Sequence, residues 1–111
     1  MKHSTKKPTK AEAARLAQLS NMPCVACMLG GKVQFQRCEI HHLLSGGRRR
    51  GHAATVPLCA WHHRGEPAQY TARYMTAVYG PSLARAPKLF RATYGTDDKL
   101  LEAVNRKLDA P

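Results

Sequence analysis

Between Cys38 and His63 the chain reads CEIHHLLSGGRRRGHAATVPLCAWHH. This segment contains five of the six histidines of the protein and a run of three arginines. An unpaired imidazole adds little to a hydrophobic core and loses its hydration when it is buried, so this concentration is unusual for purely structural residues. We therefore interpret the segment as a metal site that lies against phosphate groups.

The composition indicates one small, strongly basic domain. A chain of 111 residues allows a single core of modest size. Its 18 Lys and Arg against 7 Asp and Glu give a formal charge of +11. Residues 1–91 carry fifteen basic and three acidic side chains, whereas residues 92–111 carry three and four. Charge of this size favours a nucleic-acid partner over a surface that is merely solvated.

The cysteine and hydropathy patterns indicate the compartment. The first ten residues are polar and lack the apolar run of a signal peptide, and no apolar run reaches the length of a membrane span. We expect a soluble protein of a reducing cytoplasm. In that compartment clustered Cys and His residues hold a metal more often than they form disulfides.

Local signals predict an α+β fold for a single domain over residues 9–111, preceded by a disordered basic arm over residues 1–8. A helix is expected to begin after the N-cap Thr9 and to end near residue 20. The two glycines at 30–31 suggest a hairpin of strands over residues 33–35 and 38–42. Pro57 is suited to the first turn of a following helix. Further helices are expected over residues 70–79, 82–94 and from 97 onward, so that the core spans residues 20–66 and C-terminal helices fill residues 67–111.

Two half-sites have the spacing of a structural zinc centre. Cys24 and Cys27 form a Cys-x-x-Cys turn, and Cys59 and His62 form a Cys-x-x-His pair on a predicted helix. Free buried thiols are the alternative. Cys38 could also replace one ligand, although its position within a strand favours a packed thiol.

The remaining histidines suit a second kind of metal site. With His62 on zinc, the strand end offers His41 and His42, the helix offers His63, and the intervening loop offers His52. A phosphodiesterase that uses one metal ion needs two such ligands and a free imidazole that takes a proton from water. No carboxylate lies between Ile40 and Gly65, which predicts a neutral, imidazole-rich site.

Taken together, Pro23-Cys24 to Cys27, Ile40-His41-His42, Gly51-His52 and residues 56–63 (VPLCAWHH) resemble the HNH endonucleases, also called His-Me finger or ββα-metal nucleases. They are most similar to the phage recombination-enhancement nucleases, the RecA-dependent Ref family. The resemblance implies a ββα-metal core with a structural zinc site and flanking helices. It also implies hydrolysis of DNA in the host cell cytoplasm, if the protein is encoded by a phage or prophage.

The resemblance further implies a role for each residue. His41 and His63 would hold the catalytic divalent ion, which would be magnesium, manganese or another transition metal, and His42 would be the general base. The structural zinc would be held by Cys24, Cys27, Cys59 and His62. The asparagine of the family motif is absent, and its work would fall to His52 or Thr55.

The sequence also suggests binding partners and leaves two alternative functions open. Arg48, Arg49 and Arg50 are expected to bind the DNA backbone, because guanidinium groups match phosphate without reading sequence. The resemblance adds a RecA filament as a partner, and the oligomeric state stays open. One alternative is a non-catalytic DNA-binding module in which His41, His42 and His63 bind a second zinc. Another is an accessory protein that uses its tail to contact other proteins.

Overall fold

The computed structural model describes residues 7–110. Along the chain these residues form α1 (Lys10–Ser20), α2 (Val25–Leu29), β1 (Cys38–His42), β2 (Leu44–Ser45), β3 (Arg48–Arg49), β4 (Thr55–Cys59), α3 (Ala60–Arg64), α4 (Ala72–Tyr79), α5 (Pro87–Tyr94) and α6 (Asp97–Asp109). The described residues make a small α+β domain. The predicted arm over residues 1–8 falls mostly outside them.

The pairing of β1 with β4 is the central feature of the fold. The two strands are antiparallel, and their register places Cys38 opposite Cys59 and His42 opposite Thr55. All five residues of β4 are buried. Since α3 begins directly after β4, the strand pair and this short helix bring both ends of the segment 38–63 together.

A second, smaller hairpin lies between the paired strands. β2 and β3 are antiparallel, and Gly46 and Gly47 at their turn both have positive φ, as a tight two-residue turn requires. The base of the hairpin is closed by backbone hydrogen bonds from Leu43 N to the Ala54 carbonyl and from Arg50 N to the Leu43 carbonyl, both 2.9 Å long. The hairpin is therefore a separate projection from the β1–β4 ladder.

Side-chain caps define the two longest helices. Thr9 accepts from the backbone of Glu12, whose carboxylate accepts from the backbone of Thr9, so the predicted capping box of α1 is confirmed. Thr96 caps α6 by accepting from Lys99 N, with Asp97 and Asp98 in the first turn. Both helices begin where the sequence predicts.

Four predicted elements differ from the structure. Residues 33–35 are not a strand, and the partner of β1 comes from the later segment that contains Pro57. Pro57 lies inside β4, because a strand in a two-stranded sheet has one edge without a ladder partner and tolerates a residue with no N–H there. α3 consequently begins at Ala60. α4 begins at Ala72 after its N-cap Thr71, and α5 begins at Pro87 and not near residue 82.

The core forms where the helices cover the strand pair. Trp61 and Phe90 are buried, as are Leu100 and Val104 from the apolar face of α6. The other large buried apolar side chains among the described residues are Leu19, Val25, Leu43, Val56, Leu58 and Met75. The indole N–H of Trp61 donates to the Gly80 carbonyl at 2.9 Å, which connects α3 to the end of α4.

Candidate functional site

The predicted cysteine and histidine ligands meet in one buried cluster. Cys24 caps the N-terminus of α2, Cys27 lies within that helix, and Cys59 and His62 come from the β4–α3 junction. His62 Nδ1 lies 3.5 Å from Cys24 Sγ, 3.5 Å from Cys27 Sγ and 3.4 Å from Cys59 Sγ, and the sulfurs of Cys27 and Cys59 are 4.0 Å apart. A tetrahedral zinc with ordinary bond lengths places its ligand atoms about 3.5–3.8 Å apart. The cluster can hold a metal ion such as zinc.

The surroundings of His62 orient it as a ligand. Its Nε2 donates to the Tyr79 carbonyl at 2.9 Å, which leaves Nδ1 to face the three sulfurs. The Tyr94 hydroxyl donates to the same carbonyl at 2.9 Å, and burial raises the pKa of Tyr94 to about 12, so this donor keeps its proton. Hydrogen bonds from Cys24 and Cys27 lower the pKa of the Cys59 thiol, which favours the thiolate that a metal requires.

Cys38 lies outside the cluster. Its thiol donates to the Met22 carbonyl at 3.4 Å and accepts from the Gln34 amide at 3.2 Å. Burial raises its pKa to about 11, so it remains a protonated, packed thiol. Within residues 7–110 the metal cluster contains Cys24, Cys27, Cys59 and His62 and does not include Cys38.

A second group of polar side chains gathers where β1 meets α3. The rings of His41 and His63 have centroids 5.0 Å apart. Burial, and then the nearby His63, lower the pKa of His41 to about 4, so its imidazole is neutral near pH 7. Neutral imidazole nitrogen is a metal ligand, and two adjacent rings can share one ion.

His42 points to a different neighbour, as the alternation of side chains along a strand requires. Its Nε2 lies 3.1 Å from Nδ1 of His52, which the loop before β4 supplies. Burial, and then Arg49 and His52, lower the pKa of His42, so its ring is neutral near pH 7. His41, His42 and His63 do not form a three-ligand cluster among the described residues, which removes the structural support for a second zinc held by all three.

Thr55 supports the His52 loop from inside the protein. It is fully buried, and its hydroxyl donates to the His52 carbonyl at 2.8 Å. Arg15 donates to the Thr55 hydroxyl at 3.1 Å, to the Thr55 carbonyl at 2.8 Å and to the Asn105 amide oxygen at 2.7 Å. Thr55 and Asn105 are thus occupied by internal contacts, and of the two residues expected to replace the motif asparagine, His52 is the one beside His42.

A comparison with known protein families identifies the chain. A family model described as recombination enhancement, RecA-dependent nuclease matches residues 8–109. The chain belongs to this nuclease family. This match confirms the family resemblance that was predicted from the sequence. The family description implies a DNA substrate and a link to RecA. Among the residues that the structure describes, no helix has both the length and the apolar character needed to cross a membrane.

The three arginines of this family member differ in their surroundings. Arg48 and Arg49 form the exposed strand β3. Arg50 instead pairs with Asp98 in the first turn of α6, with Nη1 and Oδ1 2.9 Å apart. The Asp98 side chain is 80% exposed, so the pair is weak and open to exchange with another anion.

A carboxylate that was not among the sequence-predicted site residues also belongs to the group around His41 and His63. Glu39 Oε1 accepts from His63 Nδ1 at 2.8 Å, and the same carboxylate accepts from Arg64 Nε and Nη2. Hydrogen bonds from Arg64 and His63 lower the pKa of Glu39, so it is ionised near pH 7. The expectation of a site without carboxylates is therefore wrong. The usable signal was the two-residue alternation of β1, which places Glu39 on the same face as His41.

Proposed function

We propose that the protein is a metal-dependent endonuclease of the HNH type that hydrolyses phosphodiester bonds in DNA. The observation that carries the proposal is the adjacent pair of His41 and His63 rings, 5.0 Å apart, on an antiparallel strand pair followed by a helix. Such a pair suits two ligands of one divalent ion with open positions for phosphate oxygens. Magnesium or manganese bound there would stabilise negative charge on the phosphate as the bond to the leaving oxygen breaks.

Glu39 supports this assignment by fixing the ring of His63. When Nδ1 donates to the carboxylate, Nε2 keeps its lone pair and can face an ion. Glu39 is itself held in place by hydrogen bonds from two nitrogens of Arg64, Nε and Nη2, which limits the rotation of the carboxylate. The role is that of a positioning residue, since it acts on the ion through His63.

His42 is the proposed general base. Its Nε2 is engaged with His52, and the opposite nitrogen, Nδ1, makes no hydrogen bond to a described residue. A neutral imidazole with one nitrogen occupied can accept the proton of an attacking water on the other. His52 then orients the base, which is the work expected of the missing motif asparagine.

The arginine hairpin supplies the proposed contact with the DNA backbone. Arg48 and Arg49 project on a hairpin that is closed at its base, and Arg50 lies where that hairpin returns to the domain. Guanidinium groups on such a projection bind phosphates and thereby position the duplex without reading its sequence. The RecA link in the family description makes a RecA filament the natural setting for cutting.

Plasmid cleavage tests the proposal directly. Supercoiled plasmid is incubated with the wild-type protein, with His42→Ala and with His3→Ala, the matched control at the histidine outside the segment 38–63. Each protein is assayed with and without manganese or magnesium, and with and without RecA filaments. We expect metal-dependent cutting that falls at least about 100-fold in His42→Ala and is unchanged in His3→Ala. Equal cutting by both variants, or DNA binding without any cutting under all conditions, would overturn the proposal.

A further inference from the structure

Four aromatic side chains form an exposed surface that the proposed nuclease chemistry does not use. We call this surface the aromatic ledge, and it consists of Phe35, Tyr70, Tyr74 and Tyr79. The rings of Tyr70 and Tyr74 are stacked with centroids 4.6 Å apart, and Phe35 contacts Tyr70 at 5.9 Å and Tyr79 at 5.5 Å. Phe35, Tyr70 and Tyr74 remain 40–45% exposed. Large aromatic rings held at the surface in one group indicate a binding surface.

The loop that carries Phe35 is held in place by hydrogen bonds, although the Phe35 ring is exposed. Gln36 accepts from Trp61 N at 2.7 Å and donates to the Glu66 carbonyl at 2.8 Å, and Gln34 accepts from Cys24 N at 2.6 Å. These contacts connect the loop on both sides of Phe35 to α2 and α3. A fixed loop that presents an aromatic ring to solvent has already lost the entropy that binding would otherwise cost.

The charges around the ledge select the kind of partner. Lys32 and Arg37 flank Phe35 in the same loop, and Arg73, in the first turn of α4, lies between Tyr70 and Tyr74 in sequence. All three are exposed, and none forms an ion pair with a carboxylate of residues 7–110. One carboxylate, Glu66, belongs to the segment that borders the ledge. Stackable rings with an excess of unpaired cations suit a partner that has flat apolar groups joined by phosphates.

We propose that the aromatic ledge binds single-stranded DNA, with bases stacked on the tyrosine and phenylalanine rings and phosphates near Lys32, Arg37 and Arg73. Aromatic stacking combined with basic side chains is the general means of binding unpaired strands, whereas bases inside a duplex offer no free face. The inference rests on the proposed DNA substrate and adds a second surface. Phe35 lies before the Cys38 end of β1, whereas His42 is at its opposite end, so the ledge is separate from the proposed general base.

Oligonucleotide binding tests the ledge independently of cutting. All proteins carry His42→Ala, no divalent ion is added, and fluorescence anisotropy measures affinity for a dT20 strand and for a 20-base-pair duplex. Tyr70→Ala with Tyr74→Ala removes two exposed rings. Tyr70→Phe with Tyr74→Phe is the matched control that keeps both rings, and Leu89→Ala removes an exposed apolar residue elsewhere, 55% exposed on α5.

We expect the double alanine variant to lose at least about 25-fold in affinity for dT20, because two base–aromatic stacks are removed and each contributes a factor of about five or more. The affinity of the double alanine variant for the duplex should equal that of the parent. The double phenylalanine variant and Leu89→Ala should bind dT20 as tightly as the parent does. Unchanged dT20 binding, or equal losses for strand and duplex, would overturn the inference. The inference would also be overturned if the double alanine variant kept its dT20 affinity but, with His42 restored, lost RecA-dependent cutting. That result would indicate that the ledge contacts a protein. Failure of the parent to bind either DNA would instead refute the proposed function.

Discussion

Replacing one residue of the buried cysteine–histidine cluster should unfold most of the protein, because we expect this cluster to hold a structural zinc. In Cys27→Ser, the cluster loses one of three sulfurs, and serine does not supply the thiolate that zinc prefers. The four ligands are between 0 and 4% exposed, so water cannot take the missing place without opening the core. The cluster also connects α2 to the β4–α3 junction and, through His62, to α4 and α5. Its loss therefore loosens four parts of the domain at once.

The expected magnitude follows from comparing two free energies. A structural zinc contributes about 10 kcal/mol or more to folding in small domains. A chain of 111 residues has a total free energy of unfolding of roughly 6–17 kcal/mol at about 0.05–0.15 kcal/mol per residue. Loss of the ion thus removes most of the stability. We expect Cys27→Ser to lack stably bound zinc and to show little helical circular dichroism at 25 °C.

Cys38→Ser is the matched control, because it changes the same kind of side chain outside the cluster. A serine hydroxyl can keep the hydrogen bonds to Met22 and Gln34, so the cost should stay below about 1 kcal/mol, or at most about 8 °C in Tm. Zinc content by elemental analysis and thermal melts with and without a chelator compare the two variants. If Cys27→Ser retained its zinc and melted within a few degrees of Cys38→Ser, the reasoning about the cluster would be refuted.

Three further outcomes are expected. Gly80→Ala should destabilise the protein by about 1–3 kcal/mol, because φ is +90° at this position and the new methyl group would collide with the Tyr94 hydroxyl. Chemical denaturation measures this loss of stability. Adding Tyr94→Phe should restore part of it, because the colliding hydroxyl is then absent. Asp98→Asn should free Arg50 to bind a DNA phosphate. The slope of log affinity for duplex DNA against log salt concentration should then steepen by up to about one. An unchanged slope would argue against phosphate contact by this arginine. Glu39→Ala should weaken activation by manganese about 10-fold to 100-fold, whereas Glu39→Gln, which still offers an acceptor oxygen to the histidine, should recover most of it; equal losses would contradict the positioning role.

Local signals predicted the features whose cause lies within a few residues. The capping box at Thr9 and Glu12 and the paired spacings of the zinc ligands are of this kind, because three or four residues determine each geometry. The family resemblance was equally accessible, since it rests on the order and spacing of the cysteine and histidine motifs.

Strand pairing could not be predicted in the same way. Residues 33–35 read as a strand, but the Gln34 side chain donates to the Gln36 carbonyl and the Gln36 side chain accepts from Trp61 N. β1 instead pairs with a segment whose register partners are 13 to 21 residues away in sequence. Such a choice depends on which apolar residues the whole core buries, and local propensity carries no information about it. The same long-range packing placed Pro57 in a strand.

The details of the candidate site also depend on tertiary contacts. Glu39 reaches His63 across 24 positions, and Arg50 reaches Asp98 across 48 positions. The alternation of side chains along β1 makes His41 and His42 point to different neighbours, but it does not indicate that His52 lies beside His42. The sequence alone identifies which residue types belong to the site. Their hydrogen-bond and ion-pair partners can be identified only from the folded structure.

The closed base of the arginine hairpin makes that projection an exchangeable part. His42 and Thr55 are register partners in the β1–β4 ladder, and the next residues, Leu43 and Ala54, are joined by a backbone hydrogen bond. The residues between Leu43 and Ala54 that do not take part in this closure can therefore vary in number without altering the spacing of the proposed metal ligands on β1 and α3. Hairpins of other sequences could therefore be grafted between these two residues to redirect the nuclease toward other DNA shapes, provided that the graft retains His52.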